Sequence, residues 1–455
     1  MKKYEIVIIG GGPGGYVAAV RAAQLGKKVA IIEESLLGGV CLNWGCIPTK
    51  SLLKNASVLD LVRNASKYGI EIPEYKVHWD KVIQRSRNIS KRLNKGIEYL
   101  MNKNKIDFIN SRATIKDSNT IIINNKEQIK ADFIILATGT VQKNIPNLEI
   151  DGKQIISSKE AMVLDHIPKK LTIIGAGAIG VEFAHLYNRF GSDVTIVEGM
   201  ERILPNEDKD ISKELTAILS KRKIKILTGK LVDEVKKTKK NIKLSIGDEI
   251  IESDIVLVAV GVTGNISNLG LNKVGLDFNN GFIAKNTFLQ TNIKNIYAIG
   301  DVSGPPLLAH VASAEGITAV EHICGLDIEG VSYDNIPACT YCDPEIASVG
   351  LTEEQAREKG YKTKIGKFPF RALGKSLADG NHDGFVKIIY DDKYGELLGC
   401  HIIGNNASNL ISEVGIARTL ETTYYEILKT IHPHPTLSEA INEATADALN
   451  EAIHI

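Results

Sequence analysis

Twice along this chain a short apolar strand runs straight into a glycine turn, then a helix, then a second strand that ends in an acid. The first copy has residues 6–9 as the strand and Gly10-Gly11-Gly12-Pro13-Gly14-Gly15 as the turn. Its helical pattern runs through Val17, Val20 and Leu25 to a stop at Gly26, and the second strand, 29–32, leads into Glu33. The other copy has the strand 171–174 and the turn Gly175-Ala176-Gly177-Ala178-Ile179-Gly180. A helix over 181–190, a stop at Gly191 and a strand over 194–197 lead into Glu198. In both, the acid follows the first glycine by 23 positions (10 to 33, 175 to 198). A lone glycine pattern is weak. Strand, Gly-x-Gly-x-x-Gly, helix, strand and acid together form the dinucleotide fingerprint, in which glycines admit a pyrophosphate to a helix N-terminus and the acid holds a ribose hydroxyl. Two Rossmann-like dinucleotide-binding domains are therefore expected.

Just beyond the first copy lies Gly38-Gly39-Val40-Cys41-Leu42-Asn43-Trp44-Gly45-Cys46-Ile47-Pro48-Thr49-Lys50. Gly45 lets the chain fold tightly between the cysteines, and the spacing permits a small, reducible disulfide. A helix N-terminus nearby and the Lys50 cation would both favour a thiolate. We read a redox-active pair. The plainer alternative is two buried apolar cysteines, and a zinc site lacks further Cys or His at finger spacing. Two dinucleotide sites around a redox dithiol suggest a flavin plus a nicotinamide. The cysteine pair follows the first site within one βαβ length, which assigns FAD there and the nicotinamide to the second. Glu198 favours NAD, since a carboxylate repels the 2′-phosphate of NADP; Arg202 argues the other way but lies four residues past the strand end.

At 455 residues the chain suggests three or four domains on a prior of about 150 residues each. Its 44% hydrophobic content allows large cores, and a formal net charge of +1 points to neither nucleic acid nor an anionic membrane surface. The longest apolar runs, such as 255–262, are too short to span a bilayer. Met1-Lys2-Lys3-Tyr4-Glu5 leads into a strand without a signal-like apolar region, so a cytoplasmic protein is expected. Cysteines at 41, 46, 324, 339, 342 and 400 are too few for a structural disulfide framework.

Between the fingerprints, 52–63 and 83–103 read as amphipathic helices, 108–123 as two or three short strands, and 133–137 as a buried strand ending in Thr138-Gly139-Thr140. Residues 141–168 read as a linker. Beyond the second fingerprint come a helix at 211–221, a charged hairpin at 235–250 with an exposed Lys236–Lys240 turn, and a buried strand at 255–260. A strand at 296–299 leads into Gly300-Asp301, followed by a helix at 312–324. From 336 onward, strands at 347–349, 363–368, 384–390 and 397–403, with helices at 352–359 and 408–419, form a separate α+β domain. The chain closes on Ile431-His432-Pro433-His434-Pro435-Thr436-Leu437-Ser438-Glu439 and a helix through Ala452, with Ser438 or Thr436 as its cap. Two histidines and a nearby acid resemble a base with its orienting carboxylate.

These motifs resemble the flavoprotein disulfide reductases, and within them the dihydrolipoamide dehydrogenases, over essentially the whole chain. The fold implied is α/β: two Rossmann-like dinucleotide-binding domains plus a C-terminal α+β dimerisation domain. Its expected boundaries are 1–145 for FAD, 146–270 for NAD, 271–335 for a central domain completing the FAD site, and 336–455 for the interface. By the resemblance Cys41 is the interchange thiol and Cys46 the charge-transfer thiol against the flavin. Lys50 lies near the flavin and Glu182 pairs with it. His434 is the general base acting on the disulfide of the other subunit, Glu439 orients it, and His432 is structural. The resemblance assigns Gly10, Gly12, Pro13, Gly14, Gly15, Glu33, Lys50, Ala113, Thr138, Gly139, Asp301, Leu308, Ala309 and His310 to FAD. To NAD it assigns Gly175, Gly177, Ala178, Ile179, Gly180, Glu182, Glu198 and Gly261. No metal, nucleic acid or membrane is implied; the partners are a second copy of the chain and a lipoyl-bearing protein of a 2-oxo acid dehydrogenase or glycine cleavage complex. The implied activity is oxidation of dihydrolipoyl groups with NAD as acceptor.

Two departures stand out. Gly261-Val262-Thr263-Gly264-Asn265 lacks the Arg and Pro usual in the family, and Cys339-Thr340-Tyr341-Cys342 is not expected of it. Rival implications are an NAD(P)H-dependent disulfide reductase with another substrate, and a non-catalytic flavoprotein scaffold. A glutathione-type reductase would want arginines in place of Glu198, and a scaffold need not keep Cys41, Cys46, His434 and Glu439.

Overall fold

Strands that are apolar at every position must be covered on both faces, which is the condition of a parallel sheet inside a layered α/β unit. The computed structural model describes residues 1–455 and forms two compact units, each built from separated stretches of chain. The first comprises Met1–Leu52, Lys76–Asn144 and Gly261–Ser332. Its central sheet runs in the order Asp107–Asn110, Val29–Glu33, Lys3–Ile9, Glu127–Leu136, with Thr120–Ile123 and Ala113–Asp117 extending it antiparallel. Ile296–Ala298 pairs parallel with the far end of Glu127–Leu136, at Ile134, Ile135 and Leu136. Alternation decides the faces. Ile6, Ile8 and Ile31 share a core with Ala18, Ala19 and Ala22 of the helix Pro13–Gln24, while Val7, Ile9 and Ile32 pack with the strands of the antiparallel extension.

The second unit comprises Leu53–Tyr75, Ile145–Val260 and Tyr333–Ile455. It holds a five-stranded parallel sheet in the order Lys225–Leu227, Asp193–Val197, Lys170–Ile174, Ile255–Val258, Ile155–Ile156. The last of these lies in the stretch expected to be a linker: buried Ile155 and Ile156 pair with Val256 and Leu257. The expected hairpin is a three-stranded meander, Glu234–Lys237, Ile242–Ile246 and Glu249–Ser253. Lys236 and Lys237 belong to its first strand, and Lys237 pairs with Asp151 at 2.5 Å, so the turn proper starts at Thr238. The C-terminal part is an antiparallel sheet ordered Ala338–Thr340, Glu345–Gly350, Leu397–Gly404, Phe385–Asp391, Thr363–Pro369, with the helices Ala407–Thr419 and Glu439–Asp447. The last helix ends well before Ala452, where Asn450 takes a left-handed φ of 59°. Gly261 begins the return to the first unit, ahead of the boundary at 270 suggested by sequence, because Val262–Gly264 pair antiparallel with Thr140–Gln142. No helix is long and apolar enough to cross a membrane.

Candidate functional site

Each glycine turn is shaped by its own backbone. Gly10 has φ +109°, and a Cβ there would lie 2.1 Å from the Ala137 carbonyl oxygen; one on Gly15 would lie 1.9 Å from the Gly10 oxygen. The second copy repeats this: Gly175 has φ +102° with the Ala259 oxygen at 2.4 Å, and Gly180 would meet the Gly175 oxygen at 2.0 Å. The middle glycines differ. A Cβ on Gly177 would meet no atom within 4 Å, and one on Gly12 only the Gly39 Cα at 3.9 Å. Nothing in the protein requires glycine at these two positions, so the space they keep suits a ligand that comes close to the backbone. Both precede twelve-residue helices, Pro13–Gln24 and Ala178–Arg189, whose first amides offer an anion site.

The two acids are held identically. Glu33 accepts from the Gly11 amide (2.8 Å) and the Ser35 amide (2.8 Å). Glu198 accepts from the Ala176 amide (2.6 Å) and the Met200 amide (2.8 Å). Each carboxylate is thus oriented beside its turn with lone pairs left for a ribose hydroxyl. This fits a dinucleotide at both turns.

A Gly177→Ala variant should keep its fold, because the N-cap φ of −71° is open to any residue and the cost is at most about 1 kcal/mol. It should weaken NAD binding about tenfold, read by calorimetry, through the methyl in the pyrophosphate approach. Gly180→Ala should instead lower stability by about 2 kcal/mol or more, because its methyl meets a carbonyl that cannot move alone. Equal behaviour of the two would overturn this division of roles.

The cysteine turn packs on the first glycine turn: Gly38 N–H donates to the Gly11 oxygen (2.7 Å), and a Cβ on Gly39 would lie 2.7 Å from Gly12 Cα. Cys41 sits in the short helix Gly39–Asn43, and Cys46 is the first residue of Cys46–Arg63, a helix that starts earlier than the sequence suggests. The two thiols are hydrogen-bonded to each other, the dithiol form of the pair. Cys41 is pushed far above the ordinary thiol range, first by the Cys46 hydrogen bond and then by burial; Lys50 pulls it down and Asp301 raises it. The dithiol, Lys50 and Asp301 are thereby neighbours.

Asp301 lies in the turn after Ile296–Ala298, its carboxyl raised by burial and by Glu315 and lowered by Thr140. Glu315 accepts from the Gly300 amide (2.5 Å) and pairs with Lys285. Leu308 precedes the helix Ala309–Ile323, so Ala309 and His310 form its first turn. The helix packs closely on Pro13–Gln24, where a Cβ on Gly316 would lie 2.7 Å from the Gly14 oxygen. Thr138 and Gly139 are tied to Asn265: the Thr138 hydroxyl donates to its carbonyl (2.9 Å), and its amide donates to the Gly139 carbonyl (2.9 Å). Ala113 is the buried first residue of its strand. Arg87 was not singled out in sequence; it lies over the Trp44 ring at 5.4 Å and donates to the Asn43 carbonyl (2.8 Å), bracing the loop between the cysteines.

In the second unit, Ala178 and Ile179 open the helix after the glycine turn, and buried Glu182 follows on it. The Tyr341 amide donates to Glu182 at 3.0 Å, so the unexpected Cys339–Cys342 stretch serves as a support for that carboxylate. Cys342 is buried, its thiol donating to the Pro344 carbonyl (3.2 Å) and pushed well up by burial. No group of three or more potential metal ligands occurs there or elsewhere. Asp343 pairs with Arg222 (2.9 Å) and Arg189 (3.4 Å), and beside it burial pushes His185 down to about 3. Gly261, by contrast, lies in the first unit.

His434 Nδ1 is 2.8 Å from Glu439 Oε1, and the Thr436 amide donates to Glu439 Oε2 (2.8 Å). Neither Ser438 nor Thr436 makes the side-chain cap expected of it: Ser438 precedes the helix without such a bond, and the Thr436 hydroxyl donates to the Pro433 carbonyl (2.7 Å). The His434 side chain is 78% exposed, which leaves Nε2 toward solvent. Burial raises the Glu439 carboxyl, but the Thr436 amide and His434 outweigh it and hold the carboxyl below its ordinary range. His432 is 7% exposed and held by Glu413 (2.8 Å) and the Thr430 carbonyl (3.1 Å), a structural placement.

Paired nucleotide turns, a dithiol on one of them and a histidine–carboxylate dyad define an oxidoreductase that exchanges electron pairs with a disulfide. Residues 4–316 match the family model of the pyridine nucleotide-disulphide oxidoreductases, and 336–445 match that family's dimerisation domain. The chain belongs to this family, whose cofactors are FAD and NAD(H). It is 44% identical to dihydrolipoyl dehydrogenase of Zymomonas mobilis and 43% identical to that of Bacillus subtilis, covering 99% of each chain in both comparisons. Its fold is similar to the crystal structure of LpdA from Mycobacterium tuberculosis (TM-score 0.91, 26% identity, 98% of this chain and 99% of that one). It is also similar to the HOCl-induced flavoprotein disulfide reductase RclA from Escherichia coli (TM-score 0.88, 27% identity, 97% and 99%).

Proposed function

We propose that this chain oxidises dihydrolipoyl groups to lipoyl groups with NAD as acceptor, as a homodimer serving a lipoyl-bearing protein in the cytoplasm. The observation that carries the reading is the hydrogen-bonded Cys41–Cys46 dithiol on the first glycine turn, in a chain 44% identical to a dihydrolipoyl dehydrogenase along its length.

In the oxidised enzyme Cys41 and Cys46 form a disulfide. The partner subunit's His434 takes a proton from one substrate thiol at Nε2, and the His434–Glu439 pairing stabilises the imidazolium. The thiolate attacks Cys41 Sγ, forming a mixed disulfide and releasing Cys46 as thiolate. The second substrate thiol then attacks the mixed disulfide, closes the lipoyl ring and frees Cys41, leaving the dithiol. Gly10–Gly15 with Glu33 would hold FAD and Gly175–Gly180 with Glu198 would hold NAD, and together the two groups would supply the acceptor for the dithiol's electron pair. Lys50 steadies the thiolate charge beside Cys41, and Glu182 ties the second nucleotide helix to the Tyr341 amide.

The test is the initial rate of NAD reduction by dihydrolipoamide with FAD-replete protein. Rapid turnover is expected. No turnover, in a preparation whose flavin is still reduced by NADH, would favour the second reading, a disulfide reductase with another substrate, which the likeness to RclA supports.

A further inference from the structure

Arg202 is the only cation between Glu198 and Asp208, and a cation there is what a 2′-phosphate would seek. The structure shows where that cation is kept. The segment after Glu198 is fastened at two points: the Met200 amide donates to Glu198 (2.8 Å), and the Leu204 amide donates to the Ala176 carbonyl of the glycine turn (2.9 Å). Arg202 lies midway between them along the chain. Its guanidinium is committed elsewhere. Nη2 is 2.8 Å from Glu354 Oε2, Nη1 is 3.3 Å from Glu354 Oε1, and Nη2 also lies 3.3 Å from the Pro205 carbonyl oxygen.

Glu354 is itself held in register. It belongs to the helix Glu353–Glu358, whose Glu353 amide donates to Asp208 Oδ2 (3.2 Å). Buried Lys387 joins Asp208 (2.8 Å) and Glu353 (2.7 Å), so this helix is pinned to the end of the segment that carries Arg202. The Glu354 carboxylate therefore meets Arg202 as a fork on a fork, the arrangement a phosphate would otherwise use.

We infer that Glu354 is a cofactor-specificity residue, which withholds Arg202 from the 2′-phosphate of NADP. Discrimination is then twofold: Glu198 repels the phosphate, and Glu354 occupies the guanidinium that would otherwise meet it. This rests on the second turn being the nicotinamide site. Both side chains are partly exposed, so the pair adds little stability and can be broken without unfolding the protein.

The experiment is calorimetric titration of the FAD-replete protein with 2′,5′-ADP and, separately, with 5′-AMP. Glu354→Gln should tighten 2′,5′-ADP about fivefold while changing 5′-AMP by less than about twofold. The double variant Glu354→Gln/Arg202→Gln should return 2′,5′-ADP to its starting affinity, which a merely structural role for Glu354 would not produce. In parallel, the ratio of kcat/KM for NADPH over NADH should rise in the single variant and fall back in the double. Unchanged 2′,5′-ADP affinity in Glu354→Gln, or a gain that survives loss of Arg202, would overturn the inference. A wild-type protein that binds neither probe would overturn the reading of the second turn, and this inference with it.

Discussion

Cys46→Ser protein should bind FAD and fold as the parent does, yet lose dihydrolipoamide-dependent NAD reduction by about a thousandfold or more, the scale of removing one member of a catalytic unit. The hydroxyl is nearly the size of the thiol, keeps its place at the start of Cys46–Arg63 and can still share a hydrogen bond with Cys41. What it cannot do is leave as a thiolate from a disulfide, so the substrate's electron pair has no place to enter. Reduction of the flavin by NADH should survive, because that half-reaction needs only the two nucleotide sites. Stopped-flow absorbance separates the halves. Retained dihydrolipoamide turnover would show that the pair reaches the flavin without Cys46.

His434→Gln should lower the same turnover by about 10²- to 10⁴-fold, the usual contribution of a positioned base, with little change in thermal midpoint because the side chain is mostly exposed. Glu439→Gln should cost less, about tenfold to a hundredfold, since it removes the imidazolium's partner and leaves the imidazole. The pH dependence has a definite sign. The folded Glu439 carboxyl lies below its unfolded value, so its contribution is fully present above the ordinary carboxylate range and is lost as pH falls through the depressed value. The contribution of the pair to thermal stability should therefore fade only in acid in the parent and be absent from Glu439→Gln, read as thermal midpoint against pH; an acid loss that Glu439→Gln leaves in place would overturn this sign.

What could be read in the sequence is what the local backbone demands. Gly10, Gly15, Gly175 and Gly180 are forced by carbonyl oxygens about 2 Å from any Cβ, so the fingerprints are visible without tertiary knowledge. The His434–Glu439 pair was equally legible, because five residues of extended and turning chain bring the two together. Residues 155 and 156 were missed because a two-residue strand carries no period; only pairing with Val256 and Leu257 makes it one. The support of Glu182 by Tyr341 was hidden for another reason: a main-chain amide has no sequence signature. The early start at Cys46 was masked by Pro48, which a first helical turn tolerates. The last helix was overextended, since its alanine-rich pattern continues past Asp447 while Asn450 turns left-handed.

The pairing of Ile296–Ala298 with residues 134–136 has a consequence for how the protein is made. While the stretch between Leu136 and Ile296 emerges from a ribosome at about 5–20 residues per second, the edge of Glu127–Leu136 waits uncovered for about 10–30 s. Its unpaired amides and the apolar Ile134, Ile135 and Leu136 form a sticky edge during that interval. The parallel sheet of the second unit, whose last strand ends at Val258, can close in the meantime. The part translated later is thus finished earlier, and the nascent N-terminal sheet keeps an open edge until its seventh strand arrives.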